Sequence, residues 1–166
     1  MAYLYGLAIT KGMPSMGRGK AAAHAGAHAA NLFAHQHYIV PLHGIGVDGL
    51  LRGVAQDVID WHQEGKGFGT TVILDAGSEE ELVSIVDQLK NDGHRAALVV
   101  DGTYPYFTDV EILKLIDPKV HTMDPIIMED GRRVLCHRKQ ITAAYAFGDK
   151  EALAPVLGKL SLLSND

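Results

Sequence analysis

The chain reads as an α/β protein: a small, mostly buried sheet flanked by helices on both faces, with a short helix and a hairpin inserted. Three observations predict this. Short runs of β-formers alternate with helical patterns along the whole sequence. An alanine-rich helical stretch follows the first of those runs, and its small side chains suit close packing on a sheet. The 166 residues, 47% hydrophobic and 21% charged, give one domain enough apolar surface for a real core. No internal repeat, low-complexity run or linker divides them, so residues 1–166 are read as a single domain.

Tyr3 to Ile9 is apolar and reads as a buried first strand. Thr10 to Ser15 holds Gly12 and Pro14 and is a loop. A helix follows from about Arg18 or Gly19 to about His35. His37 to Gly49 is irregular, with Pro41, Gly44, Gly46 and Gly49. A second helical pattern puts Leu50, Leu51, Val54, Val58, Ile59 and Trp61 mostly on one face, and Gly65-Lys66-Gly67 ends it. Thr70 to Leu74 is a strand. Ser78 and Glu81 form a capping box for a helix that buries Leu82, Ile85, Val86 and Leu89 and stops at Gly93. Ala96 to Val100 is the next strand, finishing at Asp101-Gly102-Thr103. Thr108 with Glu111 opens a short helix that ends before Asp117-Pro118. Pro125 to His137 is a hairpin around Asp130-Gly131. Ile141 to Phe147 is the last strand, and Lys150 to about Leu160 the last helix, kinked or delayed by Pro155. Ser164-Asn165-Asp166 is a polar tail.

Composition narrows the function classes. Cys136 is the single cysteine, so an internal disulfide and a cysteine-based zinc site are both excluded. No run approaches about 18 apolar residues, so no membrane span is expected. Met1-Ala2-Tyr3-Leu4-Tyr5 lacks the basic start of a signal peptide, and a cytoplasmic location follows by default. A formal net charge of −5 opposes indiscriminate nucleic-acid binding but leaves room for a local basic site.

The chemistry concentrates in Met16-Gly17-Arg18-Gly19-Lys20 and the helix it opens. A helix start gathers free N–H groups and the positive dipole end, which suits a phosphate or a developing oxyanion. Lys20 and Asp101 both fall where strands are expected to finish, on one edge of the sheet. A lysine beside a carboxylate either stabilises negative charge on a reacting carbonyl or makes a surface ion pair. His24 lies four residues after Lys20 on the same helix face, where it either exchanges protons near neutral pH or simply packs. His24 and His28 share a face at metal-ligand spacing, but no glutamate lies between them as in metalloprotease helices. Arg132, Arg133, His137, Arg138 and Lys139 form a basic cluster, which reads equally as a nucleic-acid contact and as a solvated strand edge. Trp61 and Phe33 read as core.

Met16-Gly17-Arg18-Gly19-Lys20-x-Ala22-Ala23 resembles the opening signature of the archaeal and eukaryotic (type 2) peptidyl-tRNA hydrolases, Met-Gly-Lys-Gly-Lys-x-Ala-Ala-Gln. The resemblance continues through most of the chain in the right order. Thr71-Val72-Ile73-Leu74 with Ser78-Glu79-Glu80-Glu81-Leu82 looks like the family's second strand and capped helix. Leu98 to Thr103 looks like its strand ending in Asp-Ala-Gly-Arg-Thr, Gln140-Ile141-Thr142-Ala143 like its last strand, and Gly148 to Leu162 like its closing helix. The resemblance implies a four-stranded mixed sheet and hydrolysis of the ester joining a peptide to the 3′ ribose of tRNA, with no metal or other cofactor. Lys20 and Asp101 match family active-site positions, Thr142 the last-strand threonine, and Arg18 a basic residue of the loop. There are departures. His24 stands where the family has glutamine, and Ala27 where it usually has histidine. The shortened Asp101-Gly102-Thr103 lacks the family's arginine, and about 37–49 and 109–139 are enlarged.

The expected catalytic set is therefore Lys20, His24, Asp101 and Thr142. Lys20 and the backbone N–H groups of Gly19–Ala21 would hold the oxyanion, Asp101 would orient Lys20 or a water, and His24 would act as base. Lys11, Arg18, Gly19, Thr103, Arg132 and Arg133 would contact the substrate, the cations through tRNA phosphates. The expected partner is peptidyl-tRNA, with a homodimer as an option. Two rivals stand beside this: a non-catalytic tRNA-, nucleotide- or protein-binding module on the same scaffold, and a metal-dependent hydrolase using His24 and His28.

Overall fold

A computed structural model describes residues 1–39, 54–64 and 69–164. The expected α/β architecture is present. Strands β1 (Ala2–Ala8), β2 (Thr71–Asp75), β3 (Arg95–Asp109) and β5 (Arg133–Asp149) form one mixed sheet in the order β2-β1-β5-β3, and the two-residue β4 (Ile126–Ile127) pairs with β5. β1 and β2 are parallel; β5 runs antiparallel to both β1 and β3. The helices are α1 (beginning Arg18–Ala23), α2 (Gln56–Gln63), α3 (Glu79–Asn91), the four-residue α4 (Val110–Leu113) and α5 (Lys150–Leu157).

β1 is buried on both faces. Leu4 and Ala8 point to α1, together with Val99, Ala143, Tyr145 and Phe147 of neighbouring strands. Tyr5, Leu7 and Ile9 point the other way, with Leu82, Ile85, Val86 and Leu89 of α3 and Leu153, Val156 and Leu157 of α5. Two half-cores on either side of a small sheet fit the alternation of strands and helices.

The alanines do what small residues allow. A Cβ on Gly6 of β1 would stand 2.0 Å from the carbonyl oxygen of Ala25, so helix and strand backbones lie in direct contact there. Ala21, Ala25, Ala29 and Phe33, each four residues on, are fully buried as one stripe. An α-helix of about 3.6 residues per turn would let such a stripe drift around its axis. A wider π turn within the stripe, His24–His28, counters that drift and keeps it on the sheet, and a second, His35–Ile39, follows Phe33. The helix thus runs to Ile39, past the expected end at His35. Tyr145 fixes this extension: its hydroxyl donates to Gln36 Oε1 at 2.5 Å and lies 2.8 Å from His37 Nε2. Leu50, Leu51, Gly65-Lys66-Gly67, most of the enlarged segment at 37–49 and the last two residues of the tail fall outside the described residues; Val54 and Val58 are core, as expected.

The α3 capping box forms, with Glu81 N–H donating to Ser78 Oγ and Ser78 N–H to Glu81 Oε2. Gly93, at φ 80°, follows the helix end as expected. Pro155 sits inside α5, which ends earlier than expected, at Leu157.

The main correction concerns β3 and β5. The expected short strand Ala96–Val100 continues to Asp109, and the last strand and the second hairpin strand are one 17-residue β5. Together they leave the body as a two-stranded arm, with α4, a 3₁₀ turn (Pro118–Val120) and β4 folded against it. The α4 N-cap is Asp109, not Thr108. The hairpin keeps the expected register around Asp130-Gly131, with Ile127 opposite Val134 and Gly131 at φ 66°.

Candidate functional site

β1 and β2 are parallel, so the helices that follow them, α1 and α3, both start at the same edge of the sheet. Ligands in open α/β sheets gather at such an edge. Lys20 and His24 come from the first turns of α1.

Asp101 arrives by a different route from the one expected. It is not at a strand end but mid-strand, between two bulges. One shifts the register between Val99 and Val100, leaving Thr142 as the extra residue on β5; the other falls between Asp101 and Tyr104, leaving Gly102-Thr103 opposite a single residue. In a regular strand, residues three apart face opposite sides. The second bulge removes that parity, so Tyr104 packs in the α1 half-core and Asp101 lies near enough to His24 to act on it electrostatically.

Tyr104 is fully buried and organises the site. Its ring lies under the Lys20 ammonium, 4.0 Å from nitrogen to ring centroid. Its hydroxyl donates to the Pro14 carbonyl at 2.7 Å, tying the 9–17 loop to the base of the arm. The His24 ring is 6.3 Å away and stacks on His28 at 4.7 Å. Sequence reasoning misses Tyr104 as a site residue. Its signal was Gly102, since a lone glycine within a strand pattern marks a bulge.

Lys20 and Asp101 do not form an ion pair: among the described residues no carboxylate lies within 4.0 Å of the Lys20 ammonium. Asp101 instead accepts from the Thr103 N–H at 2.8 Å and the Thr103 hydroxyl at 3.3 Å. His24 is only 6% exposed, and its Nδ1 is sealed from solvent without a partner. Burial, then the neighbouring His28, push its pKa below 6.5; Asp101 opposes this and Lys20 reinforces it. The imidazole is therefore neutral at pH 7, and proton exchange is left to Nε2. Thr142 is fully buried, its hydroxyl also without a partner.

At the helix start, the Ala21 N–H is taken by the Gly17 carbonyl at 2.9 Å. The N–H groups of Arg18, Gly19 and Lys20 precede that first bond, and these, rather than Gly19–Ala21, are the free donors. Arg18 reaches the Ser164 carbonyl at 3.1 Å, and Lys11 and Gly19 are exposed.

The basic cluster is not brought to this point as a whole. Arg138 stands opposite Tyr104 in register, its guanidinium 5.0 Å from the Tyr106 ring, and lines an open cleft of about 560 Å³ with Lys139, Gln140 and Glu79. Arg132 and Arg133 lie at the far end of the arm, and Arg133 is about 17 Å from Arg138 at ordinary strand rise. Arg133 pairs with Asp130, whose pKa falls to about 2 through that pair and two backbone N–H bonds. Among the described residues no group of three His, Cys, Asp or Glu side chains converges as a metal site.

Compared with models of known protein families and with the sequences of curated proteins, the chain matches none.

Proposed function

We propose that the chain is an ester hydrolase that cleaves peptidyl-tRNA into peptide and tRNA, working in the cytoplasm. The observation that carries this is an unpaired ammonium, Lys20, held on the Tyr104 ring beside a buried, neutral His24. A fixed positive charge next to a neutral base is what hydrolysis of an uncharged ester needs. The opening motif and the order of segments that resemble the type 2 peptidyl-tRNA hydrolases supply the substrate class.

In this scheme His24 Nε2 takes a proton from water as the water oxygen bonds to the ester carbon. Negative charge then develops on the carbonyl oxygen and is met by the Lys20 ammonium and the N–H groups of Gly19 and Lys20. Collapse of the intermediate breaks the bond to the ribose 3′ oxygen, which takes a proton from Lys20 or a water. Asp101, held by Thr103, favours the imidazolium that forms on His24. Arg138 and Lys139 flank the path of the tRNA 3′ end at the base of the arm, and Lys11 and Arg18 line the helix start; phosphate contacts of this kind position RNA without reading sequence.

The test is release of labelled peptide from an N-acylated aminoacyl-tRNA. Wild type is expected to turn over, and Lys20→Ala to lose at least about 100-fold, the loss typical of removing one oxyanion donor. Tight tRNA binding without turnover would transfer the assignment to a binding module. Unchanged hydrolysis by Lys20→Ala would overturn the mechanism.

A further inference from the structure

The cleft at the base of the arm is lined by polar groups whose roles the reaction scheme leaves open. It lies between the first residue of α3 and β5, and its volume of about 560 Å³ falls in the range of sites for small ligands. Gln140, only 8% exposed, is the most buried of its polar side chains. The Gln140 amide nitrogen donates to Glu79 Oε2 and to the Ile141 carbonyl. A carboxylate only accepts, so this bond settles which end of the amide is nitrogen and which is oxygen. Among the described residues nothing donates to Gln140 Oε1, and it is not one of the polar atoms sealed from solvent. A nearly buried amide oxygen therefore opens into the cleft as an acceptor, beside the Glu79 carboxylate. Two cations line the same space. Among the described residues neither Arg138 nor Lys139 forms an ion pair, although Glu79 shares their cleft. Arg138 is half-buried, its guanidinium is steadied 5.0 Å from the Tyr106 ring, and its Nε has no partner. The exposed side chains of Val100 and Val120 add apolar surface.

We propose that this cleft is a ribonucleotide subsite, in which Arg138 and Lys139 hold the phosphate and Glu79 with Gln140 Oε1 accepts from the ribose 2′-hydroxyl. The mixture of groups carries the assignment. Glu79 repels a bare anion, and Arg138 with Lys139 repels a bare cation. A ribonucleotide brings a phosphate for the cations and, on the adjoining sugar, a hydroxyl donor for the acceptors. Its sugar carbons meet Val100 and Val120. The 2′-hydroxyl is the group by which a protein tells RNA from DNA, so the cleft selects ribose over deoxyribose. Place agrees with chemistry. Gln140 stands opposite Asp101, and Arg138 opposite Tyr104, in the ladder of β3 and β5. Paired residues of antiparallel strands lie about 5 Å apart, so the cleft adjoins the cluster of Lys20, His24 and Tyr104. That the ribonucleotide belongs to an RNA 3′ end rests on the proposed function. The chemistry of the cleft does not, and a free nucleotide carries the same groups.

The experiment is fluorescence anisotropy on the full chain. The probes are a single-stranded RNA tetranucleotide labelled at its 5′ end and the DNA of the same sequence, with adenosine 5′-monophosphate as competitor. Wild type is expected to bind RNA at least about tenfold tighter than DNA, the worth of one hydrogen bond to a charged acceptor. Glu79→Ala should erase that ratio. Lys139→Ala should weaken RNA and DNA alike and lower the salt slope by about one. If Glu79→Ala misfolds by circular dichroism, Glu79→Gln decides, since it keeps an acceptor for Gln140 and loses the charge; the ratio should fall there too. With the Glu79 dependence in place, displacement of RNA by the monophosphate extends the site to free nucleotides, and no displacement confines it to an RNA end. Equal affinity for RNA and DNA overturns the proposal. So does a lack of RNA binding, or a ratio that the folded Glu79 variants leave intact. Peptide release with an RNA preference that ignores Glu79 removes this inference alone. A Glu79-dependent preference without peptide release removes the hydrolase reading alone.

Discussion

Tyr104 holds two things at once, and two substitutions separate them. Its hydroxyl fastens the 9–17 loop through the Pro14 carbonyl, and its ring carries the Lys20 ammonium. Tyr104→Phe removes only the first. One neutral hydrogen bond is worth about 1 kcal/mol, so urea unfolding should show a loss of that size. Because the ring stays under Lys20, kcat should remain within about twofold. Tyr104→Leu removes the ring as well. The side chain is fully buried, so the cavity costs about 2–4 kcal/mol of stability. Losing a half-buried cation–π contact of about 1–2 kcal/mol leaves the ammonium to find its position during the reaction, a fall of roughly 5–30-fold in kcat. KM should move little, because the charge itself remains. The assay is peptide release from N-acylated aminoacyl-tRNA, alongside unfolding curves on the same samples. A folded Tyr104→Leu protein with wild-type kcat would refute the view that the ring positions Lys20. Equal losses in both variants would transfer that role to the hydroxyl and the loop.

Two further predictions concern α1. Gly6→Ala puts a Cβ 2.0 Å from the Ala25 carbonyl oxygen, and since both partners are backbone, helix and strand must part by more than 1 Å. The expected cost is about 3 kcal/mol or more, a fall of about 6–12 °C in Tm by calorimetry; an unchanged Tm would mean the contact relaxes freely. His24 works as a base only when neutral, and its pKa lies below 6.5, so kcat/KM should fall on the acid side with a midpoint below pH 6.5. The same shift fixes a stability effect. The folded pKa is depressed, so the unfolded chain binds more protons below pH 6.5; stability is full above that value and declines as pH falls through it. His24→Gln should abolish the acid limb and flatten this decline. A mutant whose profiles track the wild type would exclude His24 from both roles.

The body of the fold was legible because each element carries a local signal. The capping box of α3, the glycine after it and the alanine stripe of α1 are all settled within a few residues, and each formed as read. The arm was not legible because its strands are made by pairing. Asp101-Gly102-Thr103 has the composition of a strand end, yet β5 continues alongside it, and the ladder resumes at Tyr104 opposite Arg138. A glycine in a strand and a glycine after one look alike in sequence; the partner strand decides. The same gap hid Tyr104, whose facing depends on a bulge that only pairing creates. The surface ion pair between Lys20 and Asp101, one of the two readings the sequence left open, does not form for a related reason. Both residues reach the α1 face near His24, but Thr103 claims one Asp101 oxygen and the Tyr104 ring claims the ammonium.

What remains is whether this cluster is built to react or only to hold. A site that merely binds an anion gains from every positive charge it keeps, and would favour a protonated His24. Here the balance runs the other way. Burial and His28 lower the imidazole pKa, and the neighbouring Asp101 carboxylate, which would raise it, does not overcome them. The Lys20 side chain sits on the Tyr104 ring beside a base whose burial favours its neutral form. In the proposed scheme an ammonium held on the Tyr104 ring and a neutral imidazole four residues on along the same helix divide the work of electrophile and base. The glutamine at this point of the motif that the chain resembles could position a water but not accept its proton. In the proposed scheme histidine there adds proton transfer to a positioning contact, and the depressed His24 pKa favours catalysis over binding. If His24→Gln lost turnover while tRNA affinity stayed unchanged, that division would hold. If both fell together, His24 would belong to binding alone.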